Sequence, residues 1–170
     1  MSLQRSSYES SSGKLITSVA PIPAILFKSS VTLQRSALIS LKATPVLLLA
    51  GIPGSTISVM QVVSYYYYNT TAVTDTSGAI TFVYAANSAA AVSATATDLG
   101  PFGSFSASTL GWTTAYNTIN NLHPVNVYNP LTASEVNDKG IYLKKITNEL
   151  TCASGSSSVR FDIYYTVSAY

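Results

Sequence analysis

The sequence predicts an all-β fold: an antiparallel sandwich, jelly roll or barrel of about eight strands, preceded by an extended N-terminal arm. Three observations carry that reading. Ser158–Tyr170, SVRFDIYYTVSAY, alternates strictly, with Val159, Phe161, Ile163, Tyr165 and Val167 on one side and Arg160, Asp162, Tyr164, Thr166 and Ser168 on the other. Such a period of two marks a strand with one buried and one wetter face. Turn signals rich in Gly, Pro, Asn and Asp recur roughly every 8–12 residues. Finally, charged residues make up only 9% of the chain while hydrophobic residues reach 47%, the opposite of a disordered composition. A neutral surface rich in Tyr, Ser and Thr suits a β-protein partly covered by other subunits, and equally a β-rich chain with no such partners.

At 170 residues the chain is long enough to bury one sizeable core. We read residues 1–30 as a flexible to extended arm and 31–170 as the folded domain. Residues 1–13 are polar and Ser-rich, a leader with nothing to anchor a core. Lys14–Phe27, KLITSVAPIPAILF, is apolar but broken by Pro21 and Pro23, which cannot donate ladder hydrogen bonds. It reads as an extended segment lying either on its own sheet edge or on a neighbouring subunit. Strands are expected at Val31–Leu41 and Ala43–Ala50, separated at Pro45. Gly51-Ile52-Pro53-Gly54 forms a turn. Thr56–Tyr68, TISVMQVVSYYYY, is apolar on both faces and predicts a strand inside a sheet, covered on both sides.

Asp75-Thr76-Ser77-Gly78 reads as a hairpin turn into a strand at Ala79–Tyr84. The Ala-rich stretch Ala85–Thr97 leans towards strand through Val92, Thr95 and Thr97, against the helical preference of alanine. Residues 100–111 are a loop. Trp112, Tyr116 and Ile119 stand at i, i+4 and i+7, the spacing of a short helix. Leu122–Asn129 is irregular or a short strand. The turn Asn137-Asp138-Lys139-Gly140 opens a strand at Ile141–Ile146, and residues 153–157 turn the chain into the last strand.

Charge is uneven along the chain. The first 42 residues carry five Lys or Arg and one Glu, whereas residues 43–138 contain no Lys or Arg and four acidic residues. A basic leader on an acidic body could meet an acidic partner surface or another copy of the chain. The basic residues are too sparse for a nucleic-acid footprint, so none is expected as a partner. The N-terminus lacks the apolar core of a signal peptide, and the longest apolar run, Pro45–Ile52, is far shorter than a membrane span, so no membrane partner is expected. With the single Cys152 no intramolecular disulfide can form.

The search for chemistry returns candidates better explained by structure. Asp75-Thr76-Ser77-Gly78 resembles the Asp-Thr-Gly loop of aspartic proteases, but Ser77 interrupts the triplet. Ser11-Ser12-Gly13-Lys14 matches Ser-x-x-Lys inside a polar leader with no helix to present the serine. His123, the only histidine, has no orienting partner in sequence. No metal-ligand spacing and no phosphate-binding glycine loop is present, so the sequence predicts no catalytic residues, no cofactor and no metal. The one unusual cluster is Tyr65–Tyr68. On a strand, alternate tyrosines face opposite sides, so one pair belongs to the core and the other to the surface, as an interface or sugar-stacking pair or as ordinary cross-strand packing.

One resemblance joins these parts. Leu41-Lys42-Ala43-Thr44-Pro45-Val46-Leu47-Leu48, the turn at 51–54 and Ser55-Thr56-Ile57-Ser58-Val59 resemble the opening of small virion proteins of tailed bacteriophages. Gly140-Ile141-Tyr142-Leu143 and then Gly155–Val167, GSSSVRFDIYYTV, resemble their close. The similarity covers roughly residues 37–170 and lies in the pattern of strands and turns. It implies a non-enzymatic jelly-roll protein of the capsid decoration or cement type. Such a protein would form homotrimers, bind a major capsid protein or another virion protein, and be assembled in the host cytoplasm. Alternatives are a tail or baseplate component, or a carbohydrate-binding module using Trp112 or the tyrosine run. The candidate subunit or capsid interface is Leu15, Ile16, Ile22, Ile25 and Phe27 of the arm, with Tyr66 and Tyr68.

Overall fold

A computed structural model describes residues 4–8, 15–19, 25–75, 78–93, 104–123, 132–152 and 157–170. Its strands are β1 (Gln4–Tyr8), β2 (Leu15–Val19), β3 (Phe27–Leu33), β4 (Val46–Leu49), β5 (Ser55–Tyr67), β6 (Ile80–Ala85), β7 (Ser104–Phe105), β8 (Thr118–Leu122), β9 (Gly140–Lys145) and β10 (Ser158–Ala169). Three short helices join them: α1 (Arg35–Leu38), α2 (Ser88–Ser93) and α3 (Ala133–Val136).

β1 and β2 pair antiparallel as a separate two-stranded sheet, where the sequence alone reads as a leader and a Pro-broken segment. The other eight strands form two four-stranded sheets, ordered β3-β10-β5-β8 and β4-β9-β6-β7. Every pairing within them is antiparallel. The pairs β3–β10, β4–β9, β5–β8 and β6–β7 are nested, so the chain is one long antiparallel ribbon whose two arms wrap together around a core. That nesting defines a jelly roll. The all-β sandwich of about eight strands expected from the turn spacing is what forms.

The final strand behaves as its alternation predicts, with Val159, Phe161 and Ile163 fully buried between the sheets. β5 differs in an instructive way. Tyr164 of β10 faces Gln61 but the next residue, Tyr165, faces Val59, so Met60 is an extra residue, a β-bulge. Ile57 and Val59 face the core before it, and Val62, Ser64 and Tyr66 face the core after it. A one-residue slip moves every following side chain to the opposite face. The apolar residues on "both" faces of this stretch are therefore one core face that changes parity, and the strand is not covered on both sides: Met60 and Tyr67 stay exposed.

Other elements correct the sequence reading. Val31–Leu41 stops being a strand at Leu33 and turns into α1, whose Leu38 is buried beside Leu41. The strands on either side of Asp75, β5 and β6, belong to different sheets and do not pair as a hairpin, and Thr76 and Ser77 of the expected turn lie outside the described residues. Alanine wins over Val92 at residues 88–93, which form α2 and lay Ala91 on Val83 and Tyr142; Thr95 and Thr97 lie outside the described residues. The helical spacing of Trp112, Tyr116 and Ile119 misleads. Trp112 is fully buried in a turn, Tyr116 and Ile119 are exposed, and Ile119 sits on β8.

Aromatic rings hold the sheets together. Phe161 of one sheet meets Phe82 of the other edge-on at 5.8 Å between centroids, and Trp112 meets Phe161 at 6.0 Å. The Tyr84 hydroxyl donates to the Ile57 carbonyl at 2.9 Å across the sandwich, and burial pushes its pKa up to about 12. Glycine is demanded where strands crowd. A Cβ on Gly140 would lie 2.7 Å from the Leu49 carbonyl oxygen, where β4 meets β9.

Candidate interaction surface

An outward surface of chemical interest is the outer face of the β3-β10-β5-β8 sheet. Register builds it row by row. Lys28, Tyr164 and Gln61 form one row; Ser30, Asp162, Val63 and Asn121 the next; Thr32, Arg160, Tyr65 and Ile119 a third. Asp162 is central and, unusually for an outward-facing carboxylate, its side chain is only 3% exposed. It receives a hydrogen bond from the Ser30 hydroxyl at 2.8 Å and ion pairs with Lys28 Nζ at 2.9 Å and Arg160 Nε at 3.2 Å. The cations in turn cover rings: Arg160 stands 4.2 Å from the Tyr65 centroid and Lys28 5.6 Å from that of Tyr164.

Burial by itself would raise the Asp162 carboxyl, but the hydrogen bonds from Lys28 and Ser30 and the nearby charges together hold it below its ordinary value. A carboxyl depressed in the folded state stabilises the fold above its unfolded pKa, and that contribution disappears as pH falls through the folded value. The window therefore lies below about pH 4, the ordinary range of an aspartate. Thermal melts across this range should show the wild type losing stability more steeply than Asp162→Asn. Parallel curves for the two proteins would remove this cluster from the acid response.

The residues singled out in the sequence fall in different places. Leu15 and Ile16 lie on β2, and Ile22 is outside the described residues. Ile25 is 68% exposed, and Phe27, at the start of edge strand β3, stacks on Tyr165 at 5.5 Å. Tyr66 is a core residue, and Tyr68 packs against the core with its hydroxyl donating to the Thr70 carbonyl at 2.9 Å. The outward pair is therefore Tyr65 and Tyr67, because the bulge at Met60 inverts the parity. Sequence reasoning also missed Leu26, exposed between Ile25 and Phe27, and Ile119, which the apparent helical spacing hid.

Trp112 has no exposed surface, so it cannot stack on a sugar. Asp75 is engaged by Lys145, as argued below, and Ser77 lies outside the described residues. His123 is exposed, and Cys152 is buried with its thiol towards the Thr71 carbonyl. Among the described residues, no three His, Cys, Asp or Glu side chains gather as a metal ion would require, and no helix is long and apolar enough to cross a membrane. The C-terminal end is tied down: Tyr170 donates its hydroxyl to Asp138 at 2.7 Å, and Asp138 also accepts from the Gly54 amide.

No family model matches the chain, and no curated protein matches its sequence. Among solved structures, the chain is similar to one from the Cyanophage Pam1 capsid asymmetric unit, with 14% identity, a TM-score of 0.47, and coverage of 94% of this chain and 96% of that one. It is similar to a chain of the crystal structure of Israel acute Paralysis Virus, with 10% identity, a TM-score of 0.32 and coverage of 98% and 95%. A third similarity is to the cryo-EM structure of giant freshwater prawn Macrobrachium rosenbergii nodavirus semi-empty VLP, with 12% identity, a TM-score of 0.27 and coverage of 90% and 98%. One of these neighbours is thus from a phage capsid, one from a virus and one from a virus-like particle. At such TM-scores they stand beside the jelly-roll strand order, which rests on the hydrogen-bond registers alone.

Proposed function

We propose that this chain is a virion structural protein of the capsid decoration or cement kind, which forms homotrimers and seats on a capsid shell through its N-terminal segment. One observation carries the reading: Ile25, Leu26 and Phe27 are 68%, 58% and 41% exposed in succession at the head of β3, the edge strand of its sheet. A run of large apolar side chains beside a strand edge that no described strand covers is what a soluble monomer avoids and a subunit contact uses. Contacts between unlike patches of identical chains close into rings such as trimers when the rotation allows.

The test is light scattering of the full chain over a range of concentrations, beside the double variant Ile25→Ser, Leu26→Ser. Both side chains are exposed in the protomer, so at concentrations where both proteins are monomeric the melting temperature should not change. Burying two aliphatic side chains in a contact contributes about 3 kcal/mol, so the variant should dissociate at roughly hundredfold higher concentration. A wild type that remains monomeric throughout would overturn the trimer, and a variant that assembles as tightly as wild type would overturn the contact. Attachment is read separately, by binding to particles lacking the protein, with a chain deleted up to residue 24. The deletion must stop there, because Phe27 and Lys28 belong to β3 and Lys28 holds Asp162. Many copies bound over the whole shell would support decoration, and few copies at one vertex would place the protein in the tail instead.

A further inference from the structure

We propose that Lys145 and Asp75 are joined in the folded protein by an isopeptide bond that the fold itself forms. Lys145 is the last residue of β9, with a fully covered side chain that points between the sheets, as Ile141 and Leu143 do. Asp75 lies ahead of β6 with its side chain 8% exposed, and its Oδ1 is 2.8 Å from Lys145 Nζ. The register sets Ile80 opposite Lys145 and Phe105 opposite Ile80, so the neighbouring row is apolar.

The pair has the parts that amide formation needs. The Lys145 amine also donates to the Gly78 carbonyl at 2.7 Å, which pins the nucleophile beside the carboxyl group. Gly78 has φ +95, and a Cβ there would collide with the Thr147 side chain, so only glycine brings this carbonyl into place. The other carboxylate oxygen, Oδ2, accepts the Ala107 amide at 3.2 Å. Negative charge develops on such an oxygen when an amine attacks the carboxyl carbon, and a fixed backbone donor stabilises it.

The step balances without any co-reactant. A proton passes from the ammonium to the carboxylate across their contact, leaving a neutral amine and a carboxylic acid. Nitrogen then attacks the carboxyl carbon, the new C–N bond forms, and the C–OH bond breaks. The hydroxyl leaves with an amine proton as water. Covering by the two sheets keeps bulk water from the product. The bond would tie β9 to the segment leading into β6, within one protomer.

Intact-mass spectrometry of the purified full chain, kept folded at neutral pH, tests this. The expected mass is lower than that of the sequence by one water, and protease digestion should release a branched peptide linking Lys145 to Asp75. Lys145→Arg keeps the cation but cannot form the same amide, and should show its full sequence mass. A wild type that retains full mass after prolonged incubation, with no branched peptide, would overturn the proposal and leave an ion pair only. The wild-type reading stands even if the variant fails to fold.

Discussion

Asp75→Ala is expected to be among the most damaging single changes in this protein. It would leave Lys145, whose side chain is fully covered, with a buried amine and no carboxylate beside it. Breaking a buried charge pair by removing one partner costs about 3–5 kcal/mol, because the remaining charge has no water to return to. Domains of this kind are stable by only about 5–15 kcal/mol, so the loss is a large fraction of the total. Urea unfolding should show a midpoint shifted well below wild type. The double variant Asp75→Leu, Lys145→Met separates charge from packing, because replacing both partners with apolar groups of similar size is often neutral. Recovery of most of the midpoint would assign the cost to the stranded amine, whereas a deficit that persists in the double variant would assign it to the lost covalent link. If the single variant unfolds like wild type, the pair contributes nothing to the fold.

Trp112→Ala is expected to cost as much by a different route. The ring is wholly buried, packs edge-on against Phe161 at 6.0 Å and directs its indole N–H towards the Ser64 hydroxyl at 3.4 Å. Removing it leaves a cavity where the turn before β8 meets the core, and large aromatic truncations of this kind cost about 3–5 kcal/mol. Because it is the only tryptophan, the wild-type emission reports directly on that packing. Emission of the folded protein should be that of a shielded indole and should shift red on unfolding in urea. The alanine variant, followed by circular dichroism, should unfold at markedly lower urea. A water-exposed emission from the folded wild type would contradict the burial of this residue, and with it the rejection of Trp112 as a sugar-stacking surface.

Much of the architecture is legible in the residues because it rests on short-range physics. The alternation of Val159, Phe161 and Ile163 against Arg160 and Asp162 specifies β10, its buried face and its wetter face. Gly51 and Gly54 mark the turn between β4 and β5. The spacing of turn signals implies many short strands, and the low charge argues for an ordered chain. Where local preferences compete, as alanine does with Val92 in α2, the element is decided by what it packs on. Here Ala91 fits against Val83 and Tyr142 on the back of β6 and β9.

The interaction surface was less legible, for two physical reasons. Facing in a strand has a period of two, so the unannounced bulge at Met60 inverts everything after it, placing Tyr66 in the core and Tyr65 and Tyr67 outside. No residue in TISVMQVVSYYYY signals that slip; it exists only in the pairing with β10. The charged clusters join residues far apart in sequence: Asp162 with Lys28 and Ser30, and Lys145 with Asp75. Strand content, turns and the buried side of β10 are therefore properties of the sequence by itself. The nested strand order, the outward tyrosines and the partners of each buried charge were decided by the tertiary structure, because only long-range pairing sets which faces and which charges meet.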